Sequence, residues 1–243
     1  CTMSSSDPQN YEEYNNSEWV PIVFTFFEYP RGDIFGKLLA LSSLMPHCIG
    51  VGFITLILFR RDLHTIFFFL GLLLNELVNK ILKTTIGEPR PLVRPNPSTE
   101  YGMPSNHSQF MCFFSTYVLL FVLIRLHHMN NNAPLERAMR ILVLAICWMT
   151  SFIVSFGRIY LQYHTTAQVY VGALIGICTG AIWFTVIHFF LTPYFPRIVT
   201  WKISEFLLLR DTTLIPNVLW FEYTVTRQEA RARSRKLISM KSQ

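Results

Sequence analysis

Five long apolar runs, parted by polar connectors, organise this chain: Leu38–Phe59, Leu63–Leu82, Gln109–Leu126, Ile141–Phe156 and Val169–Leu191. A bilayer core of about 30 Å is crossed by about 20 helical residues. The runs approach that length, the fourth being the shortest. The pattern predicts an all-α polytopic membrane helical bundle of about five transmembrane helices, with Pro46 kinking the first. Trp19–Tyr29 is apolar but too short to span, and so belongs at the interface. Beyond the fifth run, Pro193 and Pro196 break the helix; Trp201–Leu209, Trp220, Phe221 and Tyr223 read as an interfacial platform. No internal repeat is visible. The expected division is a polar tail and interfacial segment at 1–27, a catalytic membrane domain at 28–192, and a C-terminal interfacial segment with a basic tail at 193–243.

Composition agrees with a membrane domain. Of 243 residues, 51% are hydrophobic and 15% charged, which excludes both a disordered chain and an ordinary soluble domain. Cys48, Cys112, Cys147 and Cys178 fall inside apolar runs, so neither a disulfide framework nor a metal site is predicted. No cofactor and no nucleic-acid partner are expected. The polar, acidic first 18 residues are expected to be disordered and lack a signal-peptide pattern through Tyr14. Met3 is the first methionine, so Cys1 and Thr2 are expected to belong to a longer precursor or to an addition to the natural chain.

The net charge of +6 matters through its distribution. Arg60 and Arg61 follow the first run, and Arg125, Arg137 and Arg140 lie between the third and fourth. Arg227, Arg231, Arg233, Arg235 and Lys236 fill the tail. With five crossings these regions share one side, the cytosol by the positive-inside rule. The tail could there meet anionic lipid, or be merely a solvated face. The N-terminus, the Thr84–Asn106 loop and the Gly157–Thr166 loop then share the lumenal side. Within the second run Asn75, Asn79 and Lys83 form one polar stripe, the asparagines being candidates for interhelical glue. Glu76 and Lys80 are spaced to neutralise each other.

Three short motifs on the lumenal side carry the chemistry. Lys83-Thr-Thr-Ile-Gly-Glu-Pro-Arg90-Pro91 places two cations at the exit of the second run, suited to phosphate oxygens. Pro104-Ser105-Asn106-His107 reads as a helix start, where free N–H groups face an anion and His107 could donate a proton. In Arg158-Ile-Tyr-Leu-Gln-Tyr-His164-Thr-Thr-Ala-Gln168, His164 and Gln168 lie one helical turn apart. Gln168 could accept the Nδ1–H of His164 and leave Nε2 to attack phosphorus. Singly, these are a cationic membrane border, a border histidine and a histidine packed beneath Tyr160 and Tyr163. Together, on one side of the membrane, they describe phosphoryl transfer without a metal.

The three motifs resemble the type 2 phosphatidic acid phosphatase superfamily, whose pattern is Lys-six-Arg-Pro, Pro-Ser-Gly-His and Ser-Arg-five-His-three-Asp. The resemblance implies His164 as nucleophile, His107 as acid, and Lys83, Arg90, Ser105, Asn106 and Arg158 around the phosphate. Asn106, Gly157 and Gln168 stand where that pattern has glycine, serine and aspartate. The third departure weighs most, since a carboxylate also stabilises imidazolium whereas an amide only orients the ring. Phe27–Asp33, Leu74–Glu76, Tyr101–Ser105 and Arg210–Thr226 are similar to the eukaryotic dolichyldiphosphatase family, in which glutamine at position 168 and a non-glycine at 106 are usual. That resemblance implies residence in the endoplasmic reticulum membrane and a lumenal site. It also implies hydrolysis of a polyprenyl diphosphate lipid, dolichyl diphosphate, to dolichyl phosphate, recycling the carrier for protein N-glycosylation. A phosphatase for phosphatidate or sphingolipid phosphates is the neighbouring reading; a catalytically silent membrane scaffold is the rival of another class.

Asn15-Asn16-Ser17 is a glycosylation sequon that only a lumenal tail can use. Expression in microsomes is expected to glycosylate Asn15. An unmodified Asn15 together with a protease-protected C-terminus would reverse the orientation.

Overall fold

The computed structural model describes residues 19–21, 28–91, 101–125, 134–215 and 218–241. The sequon and most of the polar tail lie outside the described residues. Among them the all-α structure is interrupted by an antiparallel ribbon, β1 (Trp19–Pro21) against β2 (Glu28–Pro30), with Val20 opposite Tyr29, and by an isolated bridge between Asp62 and Arg210. Asp33 caps α1 (Ile34–Ser42) by accepting the Gly36 N–H at 2.9 Å. Pro46 does more than kink the first span. The helix stops and restarts as α2 (Met45–Arg60), with Pro46 in the first turn, where a missing N–H costs nothing.

The chain continues through α3 (Leu63–Ile86), α4 (Asn106–Leu120), α5 (Pro134–Tyr160) and α6 (Thr166–Thr185). π-turns at Phe121–Arg125 and Val186–Leu191 extend α4 and α6. Among the described residues five stretches are long and apolar enough to cross a membrane: Ile34–Arg60, Leu63–Ile86, Asn106–Arg125, Arg137–Tyr160 and Thr166–Val199. The fourth outgrows its apolar run, because α5 continues at both ends through Arg140 and Arg158. Long cationic stems can lie along a helix while their heads leave the hydrocarbon, so hydropathy underestimates such helices. Leu58, Leu77, Ile146 and Phe152 are exposed large apolar residues, as a lipid-facing surface requires.

The centre of the bundle is α4, packed on α3, α5 and above all α6. A glycine stripe lets the α4 and α6 backbones touch. A Cβ on Gly172 would lie 2.6 Å from the Ser105 carbonyl oxygen; on Gly176 it would strike that of Gln109, and on Gly180 it would approach that of Phe113 at 2.8 Å. Buried amides knit α3 to this pair. Gln109 Nε2 donates to Asn75 Oδ1 at 2.9 Å, Asn79 Nδ2 to Gln109 Oε1 at 2.7 Å, and Thr179 Oγ1 to Asn75 Oδ1 at 2.9 Å. The asparagines are therefore interhelical glue, with bonds worth about 0.6 kcal/mol each by membrane-protein precedent. Lys83 leaves that stripe for the site, and Glu76 and Lys80 form no ion pair among the described residues.

The end of the bundle away from the three motifs is closed by the chain beyond α6. After short helices α7 (Phe195–Val199) and α8 (Lys202–Phe206), the Arg210 carbonyl accepts the Leu63 N–H at 3.0 Å, and Thr212 Oγ1 donates to Asp62 Oδ1 at 2.6 Å. Arg125 donates to Thr213 Oγ1 at 2.9 Å and to His64 Nδ1 at 2.6 Å. The basic tail is a helix, α9 (Val218–Lys241), whose Glu222 pairs with Arg60 at 3.1 Å and Arg210 at 3.3 Å.

Gly176→Val drives a side chain into the Gln109 carbonyl and is expected to cost roughly 1–3 kcal/mol or more. Thermal unfolding in detergent should show a lowered midpoint, while Gly50→Ala, with open space at its Cβ, should leave it in place.

Candidate active site

The stretch from Gly157 to Gln168 is built by two helix ends. Gln162 takes a left-handed conformation (φ 54°), and the N–H groups of Tyr163 and His164 return to the Arg158 carbonyl at 3.0 and 3.2 Å. This turn brings His164 back beneath the last turn of α5. Arg158 is only 3% exposed. Its Nη1 donates to Ser43 Oγ at 3.2 Å, and its guanidinium carbon sits 3.9 Å from the Tyr163 ring centroid, a cation–π arrangement. Gly157 packs on α1, where an added Cβ would lie 3.3 Å from Leu39 Cβ; the helix crossing thus accounts for glycine in place of serine.

Sequence reasoning leaves out the brace around this turn. The Tyr163 hydroxyl accepts the Glu28 N–H at 3.0 Å, and the Tyr160 hydroxyl donates to Asp33 at 3.0 Å. Leu39, Ala40, Leu161 and Tyr163 form a small core beneath. The segment before the first span therefore holds the His164 turn in place.

Thr165 caps α6 with a capping box. Its Oγ1 accepts the Gln168 N–H at 3.2 Å, and Gln168 Oε1 accepts the Thr165 N–H at 3.3 Å. The same Oε1 lies 3.1 Å from His164 Nδ1, and Gln168 Nε2 donates to Glu88 Oε1 at 2.8 Å and to the Pro89 carbonyl at 2.9 Å. Gln168 is wholly buried. The Thr-x-x-Gln spacing was a readable helix-start signal, whereas the contact with Glu88 links residues 80 positions apart and no local pattern shows it.

The other two motifs meet here. Lys83 lies in the last turn of α3, which Gly87 ends at φ 65°, a conformation glycine adopts without a Cβ penalty. Gly102 N–H then donates to the Glu88 carbonyl at 2.7 Å, closing the connector. Ser105 is the N-cap of α4 and donates its N–H to the Gln168 carbonyl at 3.0 Å, while its buried Oγ has no partner among the described residues. The Oδ1 of Asn106 is likewise buried and unpartnered, and its side chain meets Glu76. His107 follows in the first turn of α4, 6.4 Å by ring centroid from His47 of α2, a neighbour the sequence does not single out. A cavity of about 690 Å³ opens beside this cluster, lined by Asn79, Lys80, Lys83, Tyr101 and Asn106 among others.

Lys83, Arg90, Ser105, Asn106, His107, Arg158, His164 and Gln168 thus converge at one end of the bundle. Burial first, then the charges of Arg158 and Arg90, lower His164 from 6.5 to about 3, against the raising effect of its bond to Gln168. The positive end of α6 acts in the same direction as burial. The ring is therefore neutral, with Nδ1 engaged, in a pocket of excess positive charge. Such a pocket suits an anion and a nitrogen nucleophile. Among the described residues no group of three or more His, Cys, Asp or Glu converges.

Comparison with known proteins agrees on a family. Residues 64–191 match the model of the PAP2 superfamily. The chain is similar to dolichyldiphosphatase 1 of Rhinolophus ferrumequinum, 53% identical over 223 residues that cover 91% of this chain and 94% of that protein. It is 37% identical to lipid phosphate phosphatase gamma of Arabidopsis thaliana, over 91% of this chain and 95% of that one. Its fold is similar to a transmembrane PAP2 type phosphatidylglycerolphosphate phosphatase of Bacillus subtilis, with a TM-score of 0.51 at 16% identity, covering 72% of this chain and 83% of that chain.

The lowered His164 value sets a sign for pH dependence. The unfolded chain takes up a proton that folded His164 refuses, so this contribution to stability is full above about 6.5 and drains away toward about 3. The unfolding midpoint in detergent should fall on acidification below about pH 6.5, and less steeply in His164→Asn. Equal slopes in the two proteins would mean that His164 is not held neutral.

Proposed function

Because the chain belongs to the PAP2 superfamily of membrane phosphohydrolases, we propose that it hydrolyses dolichyl diphosphate to dolichyl phosphate and inorganic phosphate through a phosphohistidine at His164. The observation that carries this reading is the His164–Gln168 contact. With Nδ1 held at 3.1 Å from Gln168 Oε1, the lone pair resides on Nε2. Nε2 attacks the terminal phosphorus, the bond from that phosphorus to the bridging oxygen breaks, and His107 protonates the departing dolichyl phosphate. Water then attacks the phosphohistidine, with His107 taking its proton, and phosphate leaves. Lys83, Arg90 and Arg158 neutralise the non-bridging oxygens, while Ser105, Asn106 and the first-turn N–H groups of α4 orient them.

Two further observations support the substrate class. The curated dolichyldiphosphatases align with nearly the whole chain. The cavity at Lys80, Lys83 and Tyr101 offers a second phosphate room beside the clamp, next to the lipid-facing side of α3. The reading places the protein in the endoplasmic reticulum membrane with its site lumenal, where the product re-enters the carrier cycle of N-glycosylation. The cations of Arg60, Arg61 and α9 then face the cytosol, with the basic helix against anionic headgroups. The similarity to the Arabidopsis protein favours, as second reading, a broader lipid phosphate phosphatase.

Phosphate release by the purified protein should be far faster, per unit kcat/KM, from dolichyl diphosphate than from phosphatidate. His164→Ala should abolish it, a loss on the order of 10⁴-fold or more. Equal rates on both lipids would select the second reading, and an active His164→Ala protein would remove the proposed nucleophile.

A further inference from the structure

A superfamily aspartate that would both orient the nucleophile and offset its charge is replaced here by Gln168, which by itself supplies only orientation. The surroundings of the amide supply what it lacks. Its Nε2 lies 2.8 Å from Glu88 Oε1 and 2.9 Å from the Pro89 carbonyl oxygen, and both of these atoms only accept. That end must be the NH₂, so the carbonyl end faces His164 Nδ1 at 3.1 Å and the Thr165 N–H at 3.3 Å. A flipped amide would set oxygen against two acceptors and an NH₂ against the Thr165 N–H, and so lose three of the four contacts outright. The amide is also boxed in, since a Cβ on Gly102 would lie 2.6 Å from Gln168 Nε2, and the Gly102 N–H is tied to Glu88 by its 2.7 Å bond to the Glu88 carbonyl.

We propose that Glu88 is the carboxylate that serves the nucleophile, a positioning residue that acts on His164 through the Gln168 side chain. Three groups lie in line: carboxylate, amide, imidazole. Each hydrogen bond polarises the next, most strongly at the buried amide and imidazole. When Nε2 forms its bond to phosphorus, the ring acquires positive charge. The charges bearing directly on His164, those of Arg158, Arg90 and Lys83, are all positive, and His107 adds none of the opposite sign. Glu88 supplies the opposing charge, and the amide conveys it by strengthening the carbonyl dipole at Nδ1. Separation by one side chain has a use. A carboxylate in direct contact would raise His164 toward protonation, whereas the relay keeps the resting ring neutral and stabilises the charge that appears on attack. Glu88 belongs to the first motif, between Gly87 and the Pro-Arg pair, so the connector that delivers Arg90 to the phosphate also delivers this carboxylate to the amide.

This proposal rests on His164 being the nucleophile, and the test separates the two. The full-length protein in detergent is assayed with dolichyl diphosphate, and phosphohistidine is quantified. Outer partners of oriented histidines typically contribute about 10- to 100-fold. Glu88→Gln, which keeps an acceptor but removes the charge, should lower kcat by that factor and leave KM within about twofold. In a Gln168→Asp background, where a carboxylate contacts the ring directly, the same change should cost at most about threefold, a non-additive cycle. A merely structural Glu88 would give the same loss in both backgrounds, and that result overturns the proposal, as does wild-type kcat in Glu88→Gln. If Glu88→Gln fails to fold, Glu88→Asp decides: retained charge should keep at least about a third of kcat, and a loss of about tenfold or more overturns the proposal. Absence of phosphohistidine in the wild-type protein would instead refute the nucleophile assignment.

Discussion

The backbone contact between α4 and α6 is the constraint on which the rest of the molecule depends. Gly172, Gly176 and Gly180 remove every side chain that would separate the two helices along this seam. The first consequence is longitudinal register: the Ser105 N–H meets the Gln168 carbonyl at 3.0 Å, and Ser108 Oγ meets the Val169 carbonyl at 2.9 Å. Two helix starts are thereby set side by side, one carrying Ser105, Asn106 and His107, the other following directly on His164. In lipid, where burial of apolar surface between helices gives little driving force, such close approach and the amide network of Asn75, Asn79 and Gln109 reinforce the apolar core around Phe68, Leu72, Phe113, Tyr117 and Phe184.

Electrostatically the site is an excess of positive charge with a neutral base in its midst. Burial and three cations keep protons off His164, so the proposed nucleophile is ready without a base to activate it. Like charges brought this close repel one another, and polar and aromatic partners offset that repulsion. Arg158 shows how the cations are held meanwhile, stacked on Tyr163 and bonded to Ser43. Gln168 joins the two levels of the design. The same amide completes a helix cap, orients the histidine and reaches back to the Lys83–Pro91 connector.

Two segments quoted only for family likeness turn out to be mechanical. Glu28 and Asp33 brace the aromatic turn from Tyr160 to Tyr163, on the side of the site. Arg210–Thr213 closes the opposite end, tying Asp62 at the start of α3 to Arg125 at the end of the third span. The bundle is thus fastened at both ends by chain outside its five spans, which leaves the lipid-facing surfaces of α2 and α5 free of polar demands.

Much was legible before any coordinates. Hydropathy alone specifies five spans, because the bilayer sets a length and a polarity that local sequence must meet. Residue chemistry and resemblance to the family motifs mark His164, His107, Lys83, Arg90, Ser105, Asn106 and Arg158, and helical periodicity adds that Gln168 lies one turn from His164. The break before Pro46 and the full length of α5 escaped, since a proline shows only that something yields, and hydropathy windows end where cationic stems begin. The Gly172-x₃-Gly176-x₃-Gly180 stripe was readable as a close helix contact, but its partner was not. What the sequence by itself determined is the set of helices and the residue types that chemistry requires. Only tertiary structure decided which ends meet, that Glu88 lies against Gln168, and that His47 and Ser43 join the site. Those contacts join residues dozens of positions apart, and their geometry follows from helix packing rather than from any interval along the chain.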